Sequence, residues 1–232
     1  MSGIPRRCRA RGAPGHITRA PEVSTVAKQL GFYIDQEYCT GCKACTIACK
    51  DKNDLPVGVT WRRVVEYTGG AWSTDPERGT FTPNVFSYYT SISCNHCEDP
   101  ICVRVCPTTA MHKGEDGIVS VDPDKCVGCR FCEWACPYSA PQFNAETGRM
   151  SKCDFCADYL AEGKDPACVA ACPSRVLQFG EIEDLRARYG DRADVAPLPD
   201  PSITRPNLVI TPHRHAEPSD AATGAIADPE EI

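Results

Sequence analysis

The chain has 232 residues, a net charge of −6 and 17 cysteines, with aromatic residues making up only 8%. The acidic balance argues against nucleic acid as a partner, since such surfaces are basic. The cysteines, with 20 prolines and 17 glycines, indicate a loop-rich body cross-linked by metal centres or disulfides. The sequence contains no run of about 18 apolar residues, so it predicts no membrane span.

The first thirty residues differ from the rest of the chain. Residues 1–30 are polar and basic and show no hydrophobic periodicity, which predicts a disordered basic extension. The alternative is that the protein's true start lies downstream. Cys8, the one cysteine that stands apart from the others, is interpreted as a spare thiol.

Regular elements are predicted in three places. WRRVVEY (61–67) and NVFSYYTSIS (84–93) are rich in strand-forming residues, and Gly69-Gly70 and Asp75-Pro76 between them predict a β-hairpin excursion. EIEDLRARYG (181–190) predicts a short helix with Ile182, Leu185 and Tyr189 on one face, ending at Gly190. Residues 191–232 hold little that could form a core, and are predicted to be an extended tail that lies over a partner or a neighbouring surface. Disorder of the last fifteen residues is the alternative.

Sixteen cysteines form four quartets that repeat in pairs. IDQEYCTGCKACTIAC (34–49) resembles VDPDKCVGCRFCEWAC (121–136), and CNHCEDPICVRVCP (94–107) resembles CDFCADYLAEGKDPACVAACP (153–173), with a seven-residue insertion in the latter. The alternation indicates a duplicated unit in which each copy carries two quartets.

The quartet spacing is typical of [4Fe–4S] ferredoxins. In C-x₂-C-x₂-C-x₃-C, three thiolates face one cluster from a tight loop, and the fourth cysteine ligates the other cluster of a pair. Gly41 and Gly128 lie within such loops, where the absence of Cβ lets the backbone turn. Zinc is the rival, but its sites favour two C-x-x-C knuckles separated by a longer loop. Grouped quartets also argue against disulfides. The sequence therefore predicts four [4Fe–4S] clusters.

Other polar residues beside the cysteines receive ordinary interpretations. His96 and His112 are predicted to be packing or surface residues, although either could tune a cluster potential. Lys43, Lys125, Arg130 and Lys152 are predicted to be solvated cations, with the same alternative.

Spacing alone does not decide which quartets pair. Gaps of 19 residues between the second and third quartets and 16 between the third and fourth are both ferredoxin-like, whereas 44 residues follow the first. The long gap makes pairing of the first with the second less natural, and the other pairings stay open.

From about Gly31 onward the sequence resembles the four-cluster electron-transfer subunits of molybdopterin oxidoreductases, in particular the iron–sulfur electron-transfer subunits of dimethyl sulfoxide reductases. The motifs that carry the resemblance are YCTGCKAC, SISCNHCEDP, CVGCRFCEWACPYSAPQFN, MSKCDFC and RPNLVITP. The resemblance implies an α+β, loop-rich fold of two ferredoxin-like modules, one inserted in the other. Module 2 would span 94–140, and module 1 would combine 31–93, which includes the hairpin insertion, with 141–190; the tail 191–232 would follow.

The resemblance also implies four ligand sets. They are set I (Cys39, Cys42, Cys45, Cys172), set II (Cys49, Cys153, Cys156, Cys168), set III (Cys94, Cys97, Cys102, Cys136) and set IV (Cys106, Cys126, Cys129, Cys132). In the nitrate reductase branch a Trp stands at the position of Cys129 and a three-iron cluster results. Because Cys129 is present, four cubane clusters are expected.

No nucleophile–base pair, phosphate loop or flavin motif is evident, so the chain is predicted to carry electrons without catalytic residues of its own. The resemblance implies a catalytic subunit with a bis-molybdopterin guanine dinucleotide cofactor and an integral membrane anchor that oxidises quinol. The electrons would reduce an S-oxide or N-oxide.

The same resemblance leaves related roles open. Alternatives are the same role in a polysulfide, thiosulfate or tetrathionate reductase or a formate dehydrogenase, and, more remotely, a zinc-stabilised interaction module. The protein would lie on the outer face of the membrane after co-export with a partner, with the cytoplasmic face as the alternative.

Overall fold

The computed structural model describes residues 29–221 and 223–229. The predicted extension 1–30, including Cys8, lies outside them except for its last two residues. The helices are α1 Ala44–Lys52, α2 Ile101–Arg104, α3 Phe131–Ala135, α4 Ala157–Ala161, α5 Ala167–Ala170 and α6 Ile182–Tyr189. The strands are β1 Leu30–Asp35, β2 Arg63–Gly69, β3 Trp72–Asp75, β4 Thr80–Pro83, β5 Phe86–Ile92, β6 Met111–Lys113, β7 Val119–Val121, β8 Gln142–Asn144, β9 Arg149–Ser151, β10 Leu177–Glu181, β11 Leu208–Thr211 and β12 Ala225–Ile226.

These elements make a mixed fold of short helices and small sheets, as predicted in outline. The described residues contain two three-stranded sheets, β10-β1-β11 and β12-β2-β5, and the two-stranded pairs β3-β4, β6-β7 and β8-β9. Within the described ranges, none of the helices is both long and apolar enough to cross a bilayer.

The first sheet is organised around β1, which pairs antiparallel with β10 and parallel with β11. Its central residues are buried on both faces: Phe32 packs into the main core, while Tyr33 packs under α6 with Ile182 and Leu185. The ring of Tyr33 stacks on that of Tyr189 with centroids 3.8 Å apart. The predicted helix and its end at Gly190, which has φ +86°, are confirmed.

The second sheet contains the predicted hairpin excursion. β2 and β5 pair antiparallel from Arg63 opposite Ile92 to Gly69 opposite Phe86. Beyond that end, β3 and β4 form a two-stranded extension whose residues are almost all exposed. The extension projects from the body of the molecule, and the prediction of a hairpin is confirmed.

The C-terminal segment corrects one expectation. The prediction that residues beyond Gly190 hold little that could form a core is wrong, since Val195, Ala196 and Val209 are completely buried. The short apolar run of β11 pairs with β1, and β12 pairs with β2. These few apolar residues lie in a proline-rich segment whose composition did not indicate a core. Strand β11 is buried by pairing with β1, far earlier in the sequence. Contact of this segment with a partner stays a prediction.

Candidate metal centres

Three cavities are each lined by four cysteine thiols, and in each case three come from one quartet and one from another. Together with the open space at its mouth, the set I cavity measures about 310 Å³, the set III cavity about 350 Å³ and the set IV cavity about 290 Å³. Each is lined by all four cysteines of the set named for it above. The structure therefore brings these residues together in the groups that the resemblance implies.

The four cysteines of set II are linked by their electrostatic interactions. Burial, together with the negative charges of Cys168 and Cys156, raises the pKa of Cys49 to about 12 against the opposing positive charge of Arg62. Burial also raises the pKa of Cys153, with Cys94 and Cys49 as the charged groups that add to it. Helix α1, which carries Cys49, packs against α5, which carries Cys168.

All sixteen described cysteines are free thiols, so the disulfide alternative is wrong for this part of the chain. No group of three or more His, Cys, Asp or Glu side chains in the described ranges is arranged to hold a single metal ion. In three of the sets the four thiols instead line one shared cavity. A polynuclear cluster fits such a cavity and matches the thiolate donors.

The sequence repeat is also a repeat of backbone conformation. Gly41 and Gly128 both have φ +67°, and Lys43 and Arg130, two residues later, both adopt a left-handed conformation immediately before α1 and α3. These turns wrap the chain around the cavities of sets I and IV. A Cβ at Gly128 would lie 2.3 Å from the carbonyl oxygen of Gly148.

Gly128→Ala is therefore expected to weaken retention of the set IV centre. The substitution adds left-handed strain of about 1–2 kcal/mol and a backbone clash of about 1–3 kcal/mol. The control is Gly163→Ala, because Gly163 has φ +72° but no atom within 4 Å of the point that a Cβ would occupy. Iron content after anaerobic gel filtration measures the difference; equal iron loss in both variants would contradict the role of the clash.

The four sets form one continuous series. Cys45 of set I and Cys49 of set II lie one turn apart on α1, a spacing that places both on the same helix face. Cys102 lies on α2 and Cys106 follows two residues after the end of that helix, so this segment links sets III and IV. In the middle, Cys94 of set III and Cys153 of set II pack in one buried cluster. The order is therefore I, II, III, IV.

The two ends of this series lie nearer the surface than set II, whose four cysteines are all buried. Cys42 of set I is exposed and Cys129 of set IV is half-buried, while Cys153 and Cys168 of set II are buried. Exposed apolar side chains accompany both outer quartets: Tyr38 and Ile47 beside the first, and Val127, Phe131 and Trp134 beside the third.

The cations and histidines beside the cysteines lie partly at the surface and partly in the interior. Arg130 pairs with Glu133 and Lys125 with Asp122 at the surface, as predicted for solvated cations. Lys152 corrects the prediction: it is 2% exposed, and its ammonium donates to the carbonyl oxygens of Val119 and Cys153. Neighbouring segments of the chain enclose Lys152, for which the sequence predicted a solvated side chain.

His96 is fully buried and His112 is exposed, so their locations match the predicted packing and surface positions. The alternative, that either tunes a cluster potential, stays a prediction. The backbone N–H of Val119 donates to Nδ1 of His96 at 3.0 Å, so Nε2 carries the proton. That donor has no acceptor among the described residues. Burial, followed by the positive charges of Lys152 and Arg62, holds the pKa of His96 well below its usual value, so it is neutral.

Sequence reasoning missed two buried arginines. Arg62 and Arg63, at the start of β2, are 1% and 2% exposed. The available signal was their position directly before Val64 and Val65, because two adjacent charges beside a buried strand cannot both face solvent.

Four-thiol cavities joined in series define an iron–sulfur protein of the ferredoxin type, a carrier of single electrons. Residues 85–182 match the family model described as a 4Fe-4S dicluster domain, and residues 36–58 match that of a 4Fe-4S binding domain.

Curated relatives identify the family. A probable anaerobic dimethyl sulfoxide reductase chain of Escherichia coli K12 is 56% identical over 204 residues, which cover 88% of this chain and 98% of the relative. An anaerobic dimethyl sulfoxide reductase chain of Haemophilus influenzae is 51% identical over 205 residues, covering 88% and 100%. A polysulfide reductase chain of Wolinella succinogenes is 40% identical over 196 residues, covering 82% and 97%.

This protein belongs to the family of iron–sulfur electron-transfer subunits of anaerobic dimethyl sulfoxide reductases. The resemblance seen in the sequence is confirmed, as is the prediction that the chain carries [4Fe–4S] clusters.

Proposed function

We propose that this chain conducts electrons from a quinol-oxidising membrane anchor to a molybdopterin catalytic subunit, which carries bis-molybdopterin guanine dinucleotide and reduces dimethyl sulfoxide or related S- and N-oxides. The observation that carries the proposal is the continuous series of four cysteine sets, whose two ends lie nearer the surface than set II. Such a series suits conduction between two partners. The identity to electron-transfer chains of dimethyl sulfoxide reductases supports the choice of partners.

In this proposal each set holds one [4Fe–4S] cluster, which would supply a one-electron carrier when bound. The cysteines provide the iron ligands, and nearby backbone N–H groups stabilise their charge. Met111 N–H donates to the sulfur of Cys106 at 3.4 Å, and Met150 N–H donates to that of Cys126 at 3.4 Å. Burial raises the pKa of Cys106, but hydrogen bonds led by that of Met111 outweigh it and lower the pKa.

The nested arrangement of modules follows from the same ligand sets. Sets III and IV draw all their cysteines from 94–140, whereas sets I and II combine cysteines of 31–93 with those of 141–190. The second and third quartets would thus form the inner ferredoxin-like module. The tail 191–232 would contact a partner with its outer side, and the complex would lie at the outer face of the membrane.

Polysulfide reduction is the second candidate, favoured by 40% identity to a polysulfide reductase chain. The electron-carrying role is the same in both, and the difference lies in the catalytic subunit. Electron transfer from a quinol analogue through the purified complex to dimethyl sulfoxide or to polysulfide separates them. Turnover with polysulfide alone would contradict the first proposal.

The cofactor content gives a direct test. The chain purified anaerobically with its partners is expected to contain about sixteen irons and sixteen acid-labile sulfides, four of each per cluster, in addition to those of any partner. Subtraction of the separately purified catalytic subunit provides the control. A colourless chain containing about one zinc per set would contradict the iron–sulfur assignment.

A further inference from the structure

Two consecutive arginines are buried where the cysteine sets meet. Arg63 begins strand β2 and Arg62 directly precedes it, and their side chains contact different parts of the interior. Neither guanidinium reaches solvent. A buried charge is costly unless opposite charge or hydrogen bonds compensate for it, so the surroundings of each arginine show what it serves.

Arg62 lies on the side of sets I and II. Its Nη1 donates to Ser91 Oγ at 3.2 Å, and that hydroxyl lies 3.3 Å from the sulfur of Cys45. Its Nη2 donates to Ser93 Oγ at 2.8 Å, and its guanidinium lies over the ring of Phe32 at 4.5 Å. Nε has no acceptor among the described residues.

The charges around Arg62 are those of cysteines. Burial opposes the charge of Arg62, but its pKa is nevertheless raised by Cys168, Cys45, Cys153 and Cys49, in that order. Three of these four belong to set II. The backbone N–H of Arg62 also hydrogen-bonds the Cys49 thiol.

Arg63 points toward set III instead. Its Nη2 donates to the carbonyl oxygen of Tyr138 at 2.6 Å, two residues beyond Cys136. Burial lowers the pKa of Arg63, and the charge that opposes this effect is that of Cys136. An arginine stays protonated in proteins, so both positions carry a fixed positive charge that is independent of pH.

The enclosed sets have the greatest need for such charges. Reduction adds one negative charge to a cluster whose four thiolates already make it anionic. Solvent can stabilise that charge most readily at set I, whose Cys42 is exposed, and least at set II, whose four cysteines are all buried. In set III, Cys94 and Cys102 are buried and the other two cysteines are half-buried. At buried sets, a fixed cation interacts with little screening.

We propose that Arg62 raises the reduction potential of the centre held by set II and that Arg63 raises that of set III, each through a fixed positive charge. This inference rests on the proposed function, because it requires clusters in those sets. Both arginines are positioning residues that act through the clusters, and neither touches substrate.

The test is potentiometric titration of the purified complex, monitored by electron paramagnetic resonance. Arg62→Gln is expected to shift the one-electron reduction equilibrium of one centre at least tenfold toward its oxidised form, which corresponds to 59 mV. Arg63→Gln is expected to shift a different centre by a similar factor. Cys153→Ser and Cys94→Ser identify the signals of sets II and III.

Two further variants separate charge from structure. Arg62→Lys and Arg63→Lys keep the charge and are expected to restore at least half of the shift on a logarithmic scale. Arg130→Gln is the matched control, because Arg130 follows Cys129 but is exposed and paired with Glu133. Solvent screening should limit its effect to less than twofold.

Several outcomes would overturn the inference. The first is an unchanged reduction potential in the Gln variants, and the second is a shift of the same centre by both Arg62→Gln and Arg63→Gln. The third is a reduction potential in the Lys variants that falls as far as in the Gln variants. Full iron content in any of these cases would leave the proposed function intact, whereas an unsubstituted chain without iron would refute both. If Arg62→Gln loses iron, Arg63→Gln and the two Lys variants decide by the same criteria.

Discussion

Cys136→Ser is expected to alter the centre of set III and to leave that of set IV unchanged. Cys136 belongs to the third quartet by sequence, but it lines the cavity of Cys94, Cys97 and Cys102. Its quartet neighbours Cys126, Cys129 and Cys132 line a different cavity, with Cys106. Serine replaces a thiolate with a harder and less acidic oxygen ligand. The electron paramagnetic resonance signal of set III should therefore disappear, or its one-electron reduction equilibrium should shift at least tenfold, which is 59 mV.

Cys106→Ser provides the reciprocal variant. Cys106 belongs to the second quartet, but it lines the set IV cavity. Its replacement should change the signal that Cys126→Ser also changes, whereas Cys136→Ser should change the signal that Cys94→Ser changes. Each of the four variants thus has a partner from another quartet that should reproduce its spectrum.

These four variants distinguish the two ligand arrangements, because an arrangement with one centre per quartet predicts the opposite grouping of their spectra. If each quartet held its own centre, Cys136→Ser would match Cys126→Ser, and Cys106→Ser would match Cys94→Ser. That result would refute the shared-ligand arrangement while preserving the number of clusters. Iron analysis of each variant shows whether the rest of the protein is still assembled.

The sequence could predict the quartets, because thiolate spacing within a tight loop is a local property. The left-handed turns at both Lys43 and Arg130 show that the repeated sequence motif specifies the same backbone conformation. The same holds for α6, whose apolar face and terminal glycine are contained in ten residues. The grouping of cysteines across quartets is not local, and spacing alone left it open; the resemblance provided it.

The buried cations illustrate why the rest could not be predicted. Lys152 is the clearest case: its side chain is of a type that is usually solvated, and only the three-dimensional enclosure by other segments makes it interior. The C-terminal strand β11 presents the same difficulty, because its burial comes from pairing with β1, which lies far earlier in the sequence. Interactions between distant segments leave no periodic signal within either segment.

Phe155→Ala is expected to have the largest effect on stability among substitutions that leave every cysteine in place. Phe155 lies between Cys153 and Cys156 and is completely buried. Its ring stacks on Phe32 with centroids 4.3 Å apart and meets His96 edge-on at 5.1 Å. Removing a fully enclosed aromatic ring costs about 3–5 kcal/mol, a large part of the roughly 5–15 kcal/mol that stabilises a typical domain.

The measurement is the midpoint of denaturant-induced loss of cluster absorbance under anaerobic conditions, with Phe131→Ala as the control. Phe131 also adjoins a cysteine, Cys132, but it is 48% exposed, so its replacement should change stability by no more than about 0.5 kcal/mol. Phe155→Leu should lie between the two, since it leaves a smaller void. Equal midpoints for Phe155→Ala and Phe131→Ala would show that metal binding alone holds the interior together. A lower midpoint for Phe155→Ala would show that aromatic packing around set II also stabilises the enclosed centres.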